Sequence, residues 1–494
     1  MPVVAAAALL LLGAIVVIVR KSIWLDEAFT MSRTGQSVGE TIDHALVAAR
    51  KPPLYFLMVH FWRMIHPSLE SVRLMSAAAA LLMVWCLDRA SRDLGIGRGL
   101  FSVGVLVAMT AHIAWAASEA RPYAVALAFL AAAVMLFVRV FVAGSDRPGR
   151  DTVLFVLACY GALQTFYYSG FVLAGLFLGG MLLPQRARVV GSGIALAVLM
   201  LPWLVIIRGQ VETQGSYLPP ITLVAGTASE TFINTSTWIA TTVVDMVHRT
   251  VAVYDGARRA TAYLGVLIGI VALRLWQCRG RVSRTEATFL VFTVVSVGSL
   301  LGLRLLNKTM VDTRHLVIAA IPILLTTSLV ASRLRPLALA RSAQLVLLAA
   351  GIVGFLSFTR NFRGRRDWRG PIQWVMAQEV PGEPVVSFNT NPLSIQYYYR
   401  GPNSIELIPT DQGTRKDGGK RMELTDQEVD RLRRFLSNSQ GPAHTFWLVE
   451  VEGPLVGPQV ISEHLDQPID VLERREYLGA RAYHLRLTRS VSAP

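Results

Sequence analysis

Charged residues are scarce in this sequence. They make up only 16% of its 494 residues, whereas a soluble globular chain carries about 25%. Most of residues 1–360 consists instead of apolar blocks separated by arginine-rich loops. Each block is about 17–20 residues long, which is enough to cross a bilayer as a helix. The shortage of charge therefore excludes a soluble enzyme, a fibrous protein and a disordered chain, and it favours a polytopic α-helical membrane protein.

Lysine and cysteine are also rare. The formal net charge is +15, and arginine supplies most of the basic side chains. Because this arginine lies largely in loops between apolar blocks, we interpret it as positive-inside topology and attraction to anionic membrane lipids, with no nucleic-acid partner. The three cysteines form no pair that indicates a disulfide or a metal site. Cys86 and Cys159 fall in apolar blocks, and Cys278 lies in an arginine-rich loop.

The apolar blocks predict about eleven membrane spans. Residues 232–247 are apolar but short, and if this segment spans the membrane the count changes by one or two, to as many as about thirteen. The first block lacks a basic start and a small-residue cleavage site, so we interpret it as a retained span. The predicted spans centre on residues 2–19, 72–88, 99–117, 123–142, 152–168, 170–183, 190–207, 261–276, 287–303, 315–331 and 342–359.

Arginine-rich loops alternate with less basic ones along the chain. Five of them, including those around Arg92, Arg279 and Arg335, fall on one side of the membrane if the N-terminus is cytoplasmic. The opposite face then holds the loops 20–71 and 208–260 and the chain after residue 360. This alternation predicts a multi-pass protein whose C-terminal domain is extracytoplasmic.

Two regions of the outer face have local folding signals. In the first outer loop, Ser37 and Glu40 have the spacing of a capping box, and Pro52-Pro53 precedes an aromatic-rich helix over residues 54–65. Residues 361–494 predict a small α/β domain, separate from the membrane domain 1–360. Its predicted strands are 383–388, 444–451 and 480–487, its predicted helices are 392–399 and 426–437, and residues 412–421 are predicted to form a mobile loop.

Polar motifs lie at the ends of spans, on the predicted outer face. The first is Asp26-Glu27, directly after the first span. Two carboxylates at the bilayer edge are costly unless they are solvated or paired. They are either an acidic turn facing water or a general base, which would remove the proton of an acceptor hydroxyl.

Basic residues accompany the next three motifs. Lys51 precedes the helix that contains Tyr55, where it either snorkels to the interface or binds an anion together with the helix N-terminus. In Ser118-Glu119-Ala120-Arg121-Pro122-Tyr123, Glu119 and Arg121 either neutralise each other, or Glu119 orients a substrate while Arg121 binds phosphate. The fourth motif, Asp312-Thr313-Arg314-His315, is either a phosphate-binding element or an ordinary junction between a loop and a helix.

Together the first three motifs resemble those of bacterial GT-C glycosyltransferases. The similar branch is the family 39-like group, which is related to protein O-mannosyltransferases and to the lipid A aminoarabinose transferase. The resemblance implies a bacterial inner-membrane enzyme with a polyprenyl-phosphate sugar donor, an outward-facing active site and inversion at the anomeric carbon. It places Asp26 at the catalytic base and Lys51 where many members have histidine. Asp367-Trp368-Arg369 resembles the start of the small periplasmic domain.

These inferences define the predicted site. The catalytic residues are Asp26, Glu27 and Glu119, and the donor-binding residues are Lys51, Tyr55, Arg121, Tyr123, Arg314 and His315. No cofactor is required, because phosphate is a good leaving group, although the carboxylates could hold a divalent metal. The acceptor hydroxyl is left open among lipid, polysaccharide and protein.

Two other functions share the predicted architecture. A transporter or flippase of lipid-linked glycans would have a similar number of spans, and a non-catalytic assembly subunit would use the outer domain to recruit partners. Transporters usually carry ionisable residues near the bilayer midplane and internal repeats. The mid-span positions here are almost free of charge and no repeat is evident, which favours the enzyme.

Overall fold

The described chain divides into two compact units. The first comprises Met1–Val19 and Arg33–Phe362, and the second comprises Arg20–Ser32 and Arg363–Pro494. Most of the predicted loop 208–260, the segment 232–247, Asp312 and most of residues 412–421 lie outside the described residues. The computed structural model describes residues 1–49, 51–96, 99–214, 257–279, 281–306, 313–361, 367–388, 392–408, 415–416, 421–422, 425–437, 444–451 and 457–488.

Helices account for nearly all of the described first unit. Short π-helical or 3-10 segments extend three of them, at His44–Ala48, Val138–Ala143 and Thr313–Ala319. The helices up to the end of this unit, with α2 included for chain order, are α1 (Pro2–Arg20), α2 (Leu25–Arg33), α3 (Val38–Asp43), α4 (Leu54–Ile65), α5 (Leu69–Asp93), α6 (Val103–Ala108), α7 (Ala111–Ala117), α8 (Tyr123–Phe137), α9 (Pro148–Thr165), α10 (Ser169–Gly180), α11 (Arg186–Gln214), α12 (Ala257–Gln277), α13 (Arg284–Leu306), α14 (Ala320–Ser332) and α15 (Leu337–Asn361).

Seven helical segments among the described residues are long and apolar enough to cross a membrane. They agree with predicted spans, and the protein is a multi-pass membrane protein. The remaining predicted spans form helices that are shorter or more polar, namely α6 with α7, α9, α10 and α12. The count of eleven therefore stays a prediction. The seven segments are Pro2–Arg20, Leu69–Asp93, Tyr123–Ala143, Arg186–Ile206, Arg284–Leu303, Arg314–Ser332 and Leu337–Arg360.

The predicted span 99–117 differs from a single straight helix. The chain breaks between α6 and α7, where Thr110 has an extended backbone and its hydroxyl donates to the Val107 carbonyl at 2.9 Å. Every residue of both helices is buried. A uniformly apolar run carries no periodic signal to distinguish a broken, buried segment from a continuous span.

Small residues allow α10 and α13 to approach closely. Gly175 and Gly179 are spaced four residues apart, so they lie on one face of α10. A Cβ atom at Gly175 would clash with the Phe292 carbonyl oxygen, and one at Gly179 would clash with that of Thr288. Close backbone approach at small residues is a common means of helix association in membranes.

The two helices predicted between residues 37 and 65 are confirmed. Ser37 Oγ accepts from the Glu40 amide at 3.3 Å, and Glu40 Oε2 accepts from the Ser37 amide at 2.9 Å, which completes a capping box at the start of α3. Helix α4 covers Leu54–Ile65, directly after Pro53.

The second unit contains a five-stranded mixed sheet, with strand order β2-β1-β5-β7-β6. Strand β1 pairs in parallel with β2 and β5, whereas β7 pairs antiparallel with β5 and β6. The elements after α15 are α16 (Arg369–Gln378), β1 (Val385–Phe388), α17 (Pro392–Tyr398), β2 (Ile405–Ile408), β3 (Arg415–Lys416), β4 (Arg421–Met422), α18 (Asp426–Ser437), β5 (Thr445–Val451), α19 (Gly457–Leu465), β6 (Ile469–Tyr477) and β7 (Ala480–Leu487). All five elements predicted for the tail are present, and β2, β3, β4, β6, α16 and α19 were not predicted.

Candidate active site

Asp26 and Glu27 occupy the first turn of α2. Acidic residues are stabilising at this end of a helix, because the backbone amides there carry partial positive charge. The two carboxylates differ in their surroundings, since Asp26 is half-buried whereas Glu27 is buried. Asp26 is therefore the less buried residue of this acidic pair.

Glu27 forms a buried ion pair with Lys21. Their side-chain oxygen and nitrogen lie 3.5 Å apart, and both side chains are almost fully shielded from solvent. Lys21 Nζ also lies 5.9 Å from the centroid of the Trp24 ring. The pair links the entry segment to the first turn of α2, which fixes the backbone next to Asp26.

The segment that carries Asp26 is anchored to the C-terminal part of the second unit. Ser22 Oγ donates to Asp367 Oδ1 at 2.9 Å and accepts from the Arg369 amide at 3.2 Å. The Ile23 amide donates to the Tyr398 hydroxyl at 2.7 Å. These hydrogen bonds give the tail a positioning role for α2 that the sequence did not indicate.

Lys51 and Tyr55 lie in the first unit, on either side of the start of α4. Lys51 is half-buried, and its amide donates to the Ala45 carbonyl at 2.8 Å. Tyr55 is fully buried, with its ring edge-on to Phe56 at 5.7 Å between centroids. The two prolines before Leu54 thus place a lysine just ahead of a helix N-terminus.

Glu119 and Arg121 lie in the tight turn between α7 and α8. Both side chains are buried, and so are their neighbours Ser118 and Tyr123. Burial of an acid and a base within one short turn is costly unless they are paired or bind an opposite charge. Their placement fits a role in the interior of a site and does not fit a solvated loop.

Aromatic rings surround His315. Its ring is stacked on Tyr168, with centroids 4.9 Å apart and an interplanar angle of 21°. The ring centroids of Phe166 and Tyr123 lie 5.6 and 6.4 Å from that of His315. Arg121 lies two residues before Tyr123, and Arg314 immediately precedes His315. This aromatic cluster therefore brings the third and fourth motifs together.

Sequence reasoning missed three residues of this arrangement. Phe166 and Tyr168 lie at the end of the predicted span 152–168, and the aromatic run Phe166-Tyr167-Tyr168 there is the signal that could have identified them. The third is Lys21, which pairs with Glu27.

The nine predicted residues are divided between the units. Asp26 and Glu27 belong to the second unit, and the other seven belong to the first. Tyr123 and His315 are shown to be neighbours, whereas convergence of Asp26, Lys51 and Arg121 stays a prediction. Within the described part of the chain, no group of three or more His, Cys, Asp and Glu side chains could hold a metal ion.

The architecture matches a solved structure over almost its whole length. The crystal structure of ArnT from Cupriavidus metallidurans bound to undecaprenyl phosphate aligns with a TM-score of 0.57 and 14% sequence identity, covering 98% of this chain and 97% of that chain. The chain has a GT-C fold. The apo crystal structure of ArnT from the same organism aligns over the same shares of the two chains with a TM-score of 0.43 and 12% identity.

No protein-family model and no curated protein matches the sequence. The GT-C fold is therefore recognised through the order and packing of its elements and not through extended sequence similarity. At this level of identity, the likeness establishes the fold, and the chemistry has to be argued from the site.

Proposed function

We propose that this protein is a membrane glycosyltransferase. It transfers a hexose or pentose from a polyprenyl-phosphate donor to an acceptor hydroxyl on the extracytoplasmic side of the inner membrane. The observation that carries the proposal is the full-length match to a GT-C structure bound to undecaprenyl phosphate. Buried acidic and basic residues at the ends of helices supply the chemistry that such a reaction requires.

The donor phosphate is held by Lys51, Arg121 and Arg314. Arginine forks match phosphate oxygens, and a lysine before a helix N-terminus adds positive charge to an existing anion site. These cations stabilise the negative charge that develops on the phosphate as its bond to the sugar breaks. Tyr55, Tyr123 and His315 form the walls of the donor site.

Asp26 acts as the general base. It removes the proton from the acceptor hydroxyl as that oxygen attacks the anomeric carbon, and the polyprenyl phosphate leaves with the electron pair of the broken bond. Attack from the face opposite the leaving phosphate inverts the anomeric configuration. Glu27 with Lys21 fixes the helix turn that carries Asp26, and Glu119 orients the sugar. The acceptor is a lipid, a polysaccharide or a protein.

The test is release of free polyprenyl phosphate by the purified full-length chain. The chain is incubated with a panel of undecaprenyl-phosphate hexoses and pentoses, and the lipid product is quantified. Asp26→Asn should lower the rate by about 100-fold to 10,000-fold, since an amide cannot accept the proton. The matched control is Asp43→Asn, because Asp43 is an exposed carboxylate near α4, and this variant should retain the wild-type rate.

Each outcome separates the candidate functions. Near-normal turnover by Asp26→Asn would show that the base is a different residue. Movement of the intact donor between leaflets without cleavage would identify a flippase, and the absence of both activities with every donor would leave a non-catalytic assembly role.

A further inference from the structure

Two of the predicted cytoplasmic arginine-rich loops meet in the first unit, where they line a cleft of about 1370 Å³. One loop follows α12 and the other joins α14 to α15. Four guanidinium groups line the cleft, together with exposed apolar side chains of both loops. Its charged lining consists of Arg274, Arg279, Arg333 and Arg335.

Polar contacts fix one wall of the cleft. The side chain of Gln277 accepts from the Arg335 amide at 3.0 Å and donates to its carbonyl oxygen at 2.5 Å, which ties the two loops together. Arg333 donates to Ser283 Oγ at 2.7 Å. These contacts place the arginines on a structured surface between helices.

The cleft carries an excess of positive charge. Buried Glu286 accepts from Arg274 at 2.9 Å and lies 3.5 Å from Arg333. Within the described part of the chain, two of the four arginines, Arg274 and Arg333, form ion pairs with a carboxylate, and that carboxylate is Glu286 in both cases. Arg279 and Arg335 are exposed. Like charges gathered around one cavity repel each other unless an anion binds among them.

The apolar part of the lining indicates a lipid. Trp276 is 76% exposed and Leu337 is 62% exposed. Tryptophan is enriched at the membrane–water interface, where its ring contacts both headgroups and acyl chains. The cleft also lies where the candidate span Arg314–Ser332 ends and the next one begins at Leu337. A ligand with a phosphate and acyl chains would satisfy both parts of this surface.

We propose that this cleft binds the headgroup phosphate of an anionic phospholipid. Arg279 and Arg335 contact the phosphate oxygens, and Trp276 packs against the glycerol and the first acyl carbons. Basic pockets between membrane helices are suited to such headgroups. The site is separate from the proposed donor site, since Arg314 begins a span that ends at the cleft, roughly 30 Å away at the rise of a helix.

Native mass spectrometry of the delipidated full-length chain tests the proposal, with dioleoyl phosphatidylglycerol as the probe. The double variant Arg279→Gln/Arg335→Gln should bind this lipid about tenfold more weakly than the wild type. The matched control is Arg147→Gln/Arg150→Gln, which removes two exposed arginines from another predicted cytoplasmic loop. The control should bind as the wild type does, and equal binding by all three proteins would overturn the proposal.

Two further measurements locate and identify the ligand. Brominated acyl chains quench the fluorescence of nearby tryptophans. Phosphatidylglycerol that carries them should therefore quench a smaller fraction of the total fluorescence in Trp276→Phe than in the wild type. Equal fractional quenching would show that the lipid binds elsewhere. Inorganic phosphate at the same concentration should not displace the lipid. Displacement would show that the cleft binds a water-soluble phosphate, which would overturn the lipid assignment.

Discussion

Arg121 is a buried guanidinium in the five-residue turn between α7 and α8. Its position two residues before Tyr123 places it next to the aromatic cluster around His315. A charged side chain in such a place needs an opposite charge. In the proposed function, the donor phosphate contributes negative charge in addition to the groups that Arg121 contacts within the protein. Replacement of Arg121 therefore tests directly whether this end of the first unit binds a lipid phosphate.

Arg121→Gln should weaken binding of undecaprenyl phosphate by about tenfold to 100-fold, because a hydrogen bond to a charged group contributes about 1.5–3 kcal/mol. Isothermal titration of the detergent-solubilised chain gives the dissociation constants. Arg150→Gln serves as the control, since Arg150 is exposed and lies in the first turn of α9. An unchanged dissociation constant for Arg121→Gln would remove this residue from the donor site.

The Lys21–Glu27 pair makes a second prediction at this scale. Glu27→Gln leaves the buried Lys21 ammonium without its carboxylate, which should destabilise the start of α2 by about 3–5 kcal/mol. Hydrogen exchange of residues 25–33 measures this loss. The double variant Lys21→Met/Glu27→Gln should recover most of the protection, because no buried charge remains. Equal loss in the single and double variants would mean that the ion pair is not the origin of the effect.

At the scale of elements, one buried carboxylate in the tail, that of Glu383, contacts side chains of both β5 and β7. Glu383 Oε1 accepts from Thr445 Oγ1 at 2.5 Å and lies 3.0 Å from His484 Nε2. Its Oε2 accepts from Trp447 Nε1 at 2.8 Å and from the Val380 amide at 3.0 Å. Burial raises the pKa of Glu383, but the hydrogen bonds together lower it by more than burial raises it. The net pKa therefore lies below the ordinary value of 4.5.

This pKa determines how the sheet responds to acid. A carboxyl group with a lowered folded-state pKa stabilises the fold at pH values above its ordinary pKa, and that stability is lost as the pH falls through the folded value. Protection of β5 and β7 in hydrogen exchange, corrected for intrinsic rates, should be constant from pH 7 to pH 5 and decline below about pH 4.5. Protection that is already falling between pH 7 and pH 5 would contradict this assignment.

Glu383→Gln provides the control for the acid response. In this variant an amide NH₂, which is itself a donor, faces groups that donated hydrogen bonds to the carboxylate. The variant should therefore lose about 1–3 kcal/mol of local stability at pH 7. The decline of protection below pH 4.5 should be smaller than in the wild type, because the titrating group is absent.

Some elements could be predicted from local sequence, and others could not. Helix α4 and the capping box of α3 depend on residues within one or two turns, and both are confirmed. Strand β6 was missed because it lies at the sheet edge, where six of its nine residues are exposed and five are charged. A strand of that kind lacks the alternation of apolar and polar residues that identifies a half-buried strand.

At the scale of the whole molecule, the natural cysteines can test the predicted topology. Cys86 and Cys159 are buried, whereas Cys278 is half-buried and lies next to the arginines after α12. In spheroplasts, a membrane-impermeant maleimide should label the wild type only after the inner membrane is permeabilised. Thr488→Cys in a Cys278→Ser background should be labelled in intact spheroplasts, because exposed Thr488 lies in the predicted extracytoplasmic domain. Labelling of Cys278 in intact spheroplasts would reverse the predicted orientation.

The sequence by itself determined the membrane class, the positions of the seven candidate spans, the presence of a tail domain and the residue types of the site. These features depend on hydropathy, capping and turn residues, which act over short stretches of chain. Only the tertiary structure decided that residues 20–32 group with the tail, that Lys21 pairs with Glu27, that Phe166 and Tyr168 pack on His315, and that two arginine-rich loops share one cleft. These are contacts between residues distant along the chain, and their pairing depends on the packing of whole elements, which no local pattern encodes.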